Sequence, residues 1–337
     1  MLPFIQHQHW IFRVPEFLSL QLLYLHSFSI IGLLIFTERN IVFWIVLLIQ
    51  IALLTYHLSV FYYYTKLYKI KNQENKNLQE IRIISTNIYQ FNKDFDRFKQ
   101  FIRREIPDIF ITIESNRDWE KAMRELENDY PHAQKITLEN TYGMHVYSQF
   151  PFEKVQSHFF VAEDVPSVEA HFKTQDGREF MLFVVHPPPP SPTEEANSKE
   201  RDGDLLCIAK RIKKVNKPTL VIGDFNTVSW SKTARLFRKK SGLIDGRHGR
   251  GVLASFHAKY WFFRAPLDLV YHSESVFIKS LKVLEHVGSD HFPIGCVFGI
   301  DPDNPKQKEE IENISQEEIA ETEVLIDRGI KEESDNR

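Results

Sequence analysis

Cysteine is nearly missing from this chain. Its 337 residues hold two, Cys207 and Cys296, too few for a disulfide framework and in no metal-binding spacing. Both sit in apolar surroundings and read as inert core residues. An excess of basic charge is also missing. The 42 Lys and Arg stand against 45 Asp and Glu, a formal net charge of -3, so no global positive field draws nucleic acid. A local basic groove is not excluded by that balance. Charge of either sign is missing from two stretches, 17–36 and 41–64. Crossing a hydrocarbon core of about 30 Å takes about 20 helical residues, which each stretch supplies. Joined by Thr37-Glu38-Arg39-Asn40, they predict a transmembrane helical hairpin that meets the lipid bilayer through residues 17–64. A short apolar region ending in a small-residue cleavage site is missing too, which argues against a cleaved signal peptide.

Trp10, Phe12, Trp44 and the cluster Phe61-Tyr62-Tyr63-Tyr64 are candidates for the membrane interface. Gln21, His26 and Gln50 read as hydrogen-bonding groups between the two helices. Lys66, Lys69, Lys71 and Lys76 follow the second stretch, whereas the turn holds only Arg39. The positive-inside rule then places the amino terminus and the rest of the chain in the cytoplasm.

Composition divides the chain into an anchor (1–65), a polar linker (66–79), a globular domain (80–300) and an acidic tail (301–337). The tail, rich in Glu and poor in aromatics, reads as a solvated, disordered segment with room for some helix. Within the globular part, apolar strand-like runs end repeatedly in a polar residue. Ile81-Arg82-Ile83-Ile84-Ser85-Thr86 ends in Asn87, and Ile109-Phe110-Ile111-Thr112-Ile113 ends in Glu114. The run 179–185 ends at His186, where four prolines force the chain out of any sheet. Leu220-Val221-Ile222 runs into Gly223-Asp224-Phe225-Asn226. There the period-two geometry of a strand sends Asp224 and Asn226 to one side and Phe225 to the other. Leu267-Asp268-Leu269-Val270-Tyr271 carries one acid inside a strand, and Ser289-Asp290-His291-Phe292-Pro293 leads into a last apolar run. Helices are expected at 194–215 and 231–240.

Such a series of polar strand endings suggests one catalytic face on a packed sheet. Glu, Asp and Asn oxygens suit Mg²⁺, or Mn²⁺, and not a thiolate-loving metal. Two histidines can stabilise a phosphoryl group or manage a proton. Asp268 can hold one imidazole by accepting its ring N–H. His132, His145, His158, His171 and His257 show no partner pattern and read as structural.

The motifs Gly223-Asp224-Phe225-Asn226 and Ser289-Asp290-His291-Phe292-Pro293, with the strands ending at Asn87 and Glu114, resemble the endonuclease/exonuclease/phosphatase superfamily over about 81–298. The tetraproline after His186 and the loop Gly249-Arg250-Gly251 resemble its membrane-anchored bacterial branch, which implies a bacterial inner membrane. The resemblance implies an α+β fold, a four-layer α/β/β/α sandwich. It implies Glu114 as the principal Mg²⁺ ligand, with Asn87 beside it and Asp290 as a second metal-side carboxylate. Asp224 would activate water and Asn226 would donate to a phosphate oxygen. His291, held by Asp268, would bind the scissile phosphate, with His186 assisting the leaving group. Arg250 is a candidate phosphate contact, and a solvated loop is the alternative there. The expected activity is metal-dependent hydrolysis of a phosphodiester, in nucleic acid or a lipid headgroup. No protein partner is identifiable. A non-catalytic membrane scaffold, with the acidic tail recruiting a partner, is the alternative.

Overall fold

The apolar runs of the sequence become two six-stranded sheets among the residues described by the computed structural model, 7–69 and 78–334. Lys71, Lys76 and most of the expected linker lie outside these residues. The first sheet has the order β11 (Val276–Val283), β12 (Ile294–Ile300), β1 (Ile81–Asn87), β2 (Ile109–Ile113), β4 (Met144–Ser148) and β3 (His132–Ile136). The second has the order β5 (Phe152–His158), β6 (Ser167–Lys173), β7 (Glu179–Val185), β8 (Thr219–Asp224), β10 (Asp268–His272) and β9 (Ile244–Asp245). Ile83, Ile111 and Val146 of one sheet pack with Leu182, Ile222 and Val270 of the other in a shared core.

The central strands are buried on both faces, which is why they read as unbroken apolar runs and not as alternations. On the outer face of the first sheet, Ile84 and Phe110 pack under α4 (Phe95–Glu105) and α5 (Arg117–Met123) through Phe98, Ile102 and Trp119. On the outer face of the second, Phe183, Val221 and Tyr271 pack under α6 (Lys199–Val215) and α7 (Lys232–Ser241). The result is an α+β, four-layer α/β/β/α sandwich.

Two strand pairs are parallel, β1 with β2 and β7 with β8. A parallel pair needs a crossover, and helices supply it: α4 lies between β1 and β2, and α6 between β7 and β8. Residues that follow all four strands therefore leave the sandwich at carboxyl ends. β10 runs antiparallel to β8 with Asp268 opposite Asp224, so the start of β10 reaches the same end. Likewise β12 is antiparallel to β1, which returns the segment before Ile294 to the end where Asn87 lies. Gly223 makes the β7–β8 pairing possible. Its φ is +150°, and a Cβ there would fall 2.1 Å from the Val185 carbonyl oxygen.

Two helices, α2 (Ser19–Phe36) and α3 (Ile41–Tyr62), are long and apolar enough to cross a membrane. They pack on each other, joined by His26 Nδ1 and Gln50 Oε1 at 2.6 Å. Phe28, Leu34, Ile45 and Leu48 are among the many apolar side chains they leave exposed. Gln21 does not join that contact. Its amide instead donates to the Phe262 carbonyl at 2.9 Å. A short helix the periodicity did not suggest, α1 (Trp10–Phe17), precedes them. Part of the aromatic cluster expected at an interface is also turned inward. Phe61 and Tyr64 are buried against Trp230, with ring centroids at 4.9 and 5.8 Å.

The acidic tail has the helix its sequence left room for, but that helix is packed on the domain and not solvated. Helix α8 (Gln316–Ile330), capped by Ser315 and Glu318 in a capping box, lies on α6 and α7. Its Leu325 and Ile326 bury against Leu206 and Leu236. Apolar and small residues spaced among the acids, Ile319, Thr322, Leu325, Ile326 and Gly329, provide an amphipathic stripe that an acidic average conceals.

Candidate active site

Asn87, Glu114, His186, Asp224, Asn226, Asp290 and His291 all line one cavity of about 780 Å³ at the carboxyl end of the parallel strands. Its centre is Asp224 Oδ2. The Asn87 amide donates to that oxygen at 3.1 Å, and His291 Nε2 and His186 Nε2 stand 3.6 and 3.8 Å from it. The other Asp224 oxygen accepts the Asn226 backbone N–H at 2.9 Å, which fixes the carboxylate in a tight turn. Phe225 points the opposite way, into the core beneath α6 and α7. Asn226 donates its amide to the Pro187 carbonyl at 2.9 Å, tying the tetraproline segment to the Asp224 turn.

Asp268 does not line the cavity itself. It stands behind His291, whose Nδ1 lies 2.7 Å from Asp268 Oδ2. Burial disfavours the charged imidazolium, but the carboxylates of Asp268, Asp224 and Asp290 outweigh it and push His291 up to about 10. The His291–Asp268 pair shares one proton as an ion pair. His186 has the opposite balance. Burial dominates the pull of Asp224 and lowers it to about 4, so it is neutral. Its Nδ1 is buried with no hydrogen-bond partner. A buried polar atom without a partner is costly, and this one belongs to a residue of the cavity wall.

Glu114 follows β2 in a left-handed conformation, φ +67°. Its oxygens accept the Asn87 amide at 2.8 Å and the Gln90 backbone N–H at 3.0 Å. Desolvation still exceeds these donors and pushes its carboxyl up to about 7. Asn87 itself is held on the opposite side, where Ser289 Oγ donates to its carbonyl at 2.7 Å and accepts the His291 N–H at 3.0 Å. The first and last motifs are thus joined through one hydroxyl.

Arg250 is not in the site. Its guanidinium donates to the carbonyls of Gly246 and Ile278 at 3.0 and 2.6 Å, and it pins the loop after β9 onto β11. Arg247 is likewise buried, paired with Asp245 at 3.0 Å. Neither arginine points to solvent, because the loop folds back over the sheet edge. Conversely, His257, read from the sequence as structural, lines the cavity, as do Tyr89, Thr141 and Phe263. The signal for two of these is conformational. Tyr89, Glu114, Thr141 and Asn226 all have positive φ, and strained backbone of this kind gathers at functional sites.

Residues 84–291 match the profile of the Endonuclease/Exonuclease/phosphatase family. The chain belongs to this family. Solved structures share its fold at low identity. TDP2 from D. rerio in complex with a single-strand DNA product is 15% identical, covering 66% of this chain and 99% of its own, with a TM-score of 0.55. The human Nocturnin catalytic domain with bound sulfate is 17% identical, covering 66% and 94%, at 0.54. The mannosyl-6-phosphatase Bt3783 of Bacteroides thetaiotaomicron is 19% identical, covering 65% and 99%, at 0.53. No curated protein matches the sequence.

Members of this family hydrolyse phosphate esters and generally need a divalent metal, and two clusters in this chain offer ligands. Asp224, Asp268 and His291 have ligand atoms within 4.8 Å of one another, but His291 is already hydrogen-bonded to Asp268 at 2.7 Å and ion-paired with Asp224 at 3.6 Å, and a protonated His291 repels a cation. Glu114 and Asp290 offer hard carboxylate oxygens, with the Asn87 amide beside them bridging Glu114 to Asp224. Among the described residues, no Lys or Arg lines the cavity to offset the two carboxylates. Carboxylate oxygens are the donors a hard divalent ion prefers, and neither Glu114 nor Asp290 is paired with a cationic side chain of the cavity wall, so this second set fits such an ion better.

Proposed function

We propose that this protein is a membrane-anchored phosphoesterase, dependent on Mg²⁺ or Mn²⁺, that cleaves a phosphodiester by in-line attack of water. The observation that carries the reading is the arrangement around Asp224: a carboxylate fixed at one oxygen, facing a cationic His291 and a neutral His186 across one cavity.

Asp224 Oδ2 orients the water and accepts its proton. His291, kept cationic by Asp268, donates from Nε2 to a phosphate oxygen and stabilises the charge that grows there. Asn226 supplies a second donor to the phosphate. His186, neutral and 3.8 Å from Asp224 Oδ2, takes up the proton that Asp224 has accepted from water and gives it to the leaving oxygen. Glu114, Asn87 and Asp290 would hold the metal, which when bound supplies Lewis-acid neutralisation of the phosphate. Helices α2 and α3 support anchoring in a bilayer, which we assign to a bacterial inner membrane with the sandwich on the cytoplasmic side.

The test is hydrolysis of bis-p-nitrophenyl phosphate by the full chain in detergent, with and without Mg²⁺ or Mn²⁺. Metal-dependent turnover that disappears in Asp224→Ala and His291→Ala is expected. Equal turnover in the variants, or none at any metal concentration for either this diester or p-nitrophenyl phosphate, contradicts the proposal.

A further inference from the structure

A loop of four consecutive aromatics stands beside the cavity. Tyr260, Trp261, Phe262 and Phe263 are 43%, 77%, 48% and 54% exposed, although the fold offers ample core for them. Exposed aromatics in a row are unusual on a surface that meets only water. Lys259 precedes them with its ammonium over the Tyr260 ring at 5.5 Å.

Two contacts fix where this loop lies relative to the apolar hairpin. Gln21, in the first turn of α2, donates to the Phe262 carbonyl at 2.9 Å. Phe17, two residues before α2 begins, lines the same cavity as Phe263 and His291. One helical turn is about 5.4 Å. The mouth of the active site and the aromatic loop are therefore level with the end of α2, where a spanning helix would enter the headgroup layer. Aromatic side chains flanked by a cation are the composition that layer selects. The apolar cavity rim, Phe17, Phe256 and Phe263, faces the same side.

We propose, resting on the phosphodiesterase reading above, that the 260–263 loop dips into the bilayer and that the substrate is a glycerophospholipid diester taken from the membrane plane, its acyl chains remaining in the lipid. The water oxygen bonds to phosphorus, one of the two ester P–O bonds breaks, and the proton released by water ends on the departing oxygen. Among the described residues, the cavity lining holds no Lys or Arg, which agrees with a single headgroup phosphate and not with a polyanionic strand, which is held by several cations.

The experiment uses the full chain in vesicles of phosphatidylethanolamine and phosphatidylglycerol, with plain or dibrominated acyl chains. Trp261 emission is the difference between the unaltered chain and Trp261→Phe, and bromine is expected to quench at least half of it. No quenching overturns the proposal. Activity is followed as diacylglycerol or phosphatidic acid formed from the vesicles, and separately with bis-p-nitrophenyl phosphate. The pair Trp261→Ser with Phe262→Ser should slow vesicle hydrolysis tenfold or more and change the soluble diester less than twofold. An equal fall on both substrates, or no fall on vesicles, overturns lipid delivery by the loop. If the unaltered chain turns over neither substrate, the phosphodiesterase reading fails and takes the substrate assignment with it. Quenching then still decides whether the loop is in the bilayer.

Discussion

Asp268 shows what one residue does without touching the substrate side of the cavity. It is opposite Asp224 in the β8–β10 register and meets His291 Nδ1 at 2.7 Å. Replacing it with Asn keeps the shape and removes the charge that keeps His291 cationic. Asp268→Asn should lower kcat on a soluble diester about 10²- to 10⁴-fold, the usual worth of a positioned acid or base, while leaving KM within a few-fold. Steady-state kinetics with the folded variant check this, and an unchanged kcat would remove Asp268 from the mechanism. A second residue prediction concerns pH and lies away from the site. Glu169 is enclosed on β6, and its burial is outweighed by Arg211, His171 and His158, which lower it to about 2 from 4.5. A depressed carboxyl contributes stability above its unfolded value, and that contribution is lost as pH falls from about 4.5 to about 2. Glu169→Gln should therefore lower the Tm at pH 7 and flatten its fall through that window, read by thermal melts across pH. At this scale much of the candidate site was legible. Asn87, Glu114, His186 and Asp224 each end an apolar run or follow one closely, Asp290 shortly precedes one, and strand ends gather at one face. Arg250 misled because a Gly-rich loop reads as solvated, whereas its guanidinium satisfies backbone carbonyls. His257 gave no pattern because its place depends on how a loop crosses from β9 to β10.

Helix α8 carries the element-scale argument. It is the part least legible from composition, because its acids meet partners on α6 and α7: Glu318 with Lys239 at 2.6 Å and Glu323 with Lys210 at 2.7 Å. Exposed pairs of this kind contribute about 0–1 kcal/mol each. The main contribution is burial of Leu325 and Ile326, about 1.5–3 kcal/mol for each. Contact is close enough that a Cβ on Gly203 of α6 would lie 2.9 Å from Gly329 Cα. Ending the chain at Asp301 should lower the Tm by about 5–15 °C, on the scale of about 2–4 °C per kcal/mol for a domain of this size. Gly203→Leu should lower it comparably by pushing α8 away. If either change leaves the melt in place, α8 is not part of the fold's stability. The strands and central helices were legible because their apolar runs are long. The edge strands β3, β5 and β9 were not: β3 and β5 are half-exposed and carry mixed sequence, β9 is only two residues long, and the register of each is set by the neighbour it pairs with.

At the scale of the molecule, the hairpin and the sandwich are joined at both ends of the hairpin, and Trp230 is the junction. Its indole Nε1 donates to the Glu16 carbonyl at 2.9 Å and to Ser19 Oγ at 3.1 Å, where α1 meets α2. Its ring meets Phe61 and Tyr64 at the end of α3. Tyr64 Oη in turn donates to Asp245 at 3.3 Å, and Gly249 N–H to the Tyr63 carbonyl at 2.8 Å. On the α1 side, Gln8 reaches the buried Asp202 at 3.1 Å, and Arg201 ties that acid to the Asn226 carbonyl at 2.9 Å. The apolar hairpin is therefore not a tether on a flexible arm. The segment before α1 is bonded through Asp202 and Arg201 to the turn that holds Asp224, which fixes the position of the cavity relative to the apolar hairpin. Loss of an aromatic side chain from a packed junction costs about 3–5 kcal/mol, here spread over two helix ends. Trp230→Ala should raise amide hydrogen exchange at residues 10–19 and 61–64 at least tenfold, while exchange in β1, β2, β7 and β8 stays as it was. Because the sandwich core does not include Trp230, turnover of a soluble diester should remain within about threefold, and turnover of a substrate embedded in vesicles should fall further. Unchanged exchange at both helix ends would mean that other contacts hold the hairpin. Uniform exchange gain across the sandwich would mean that Trp230 supports the whole fold and not the junction alone.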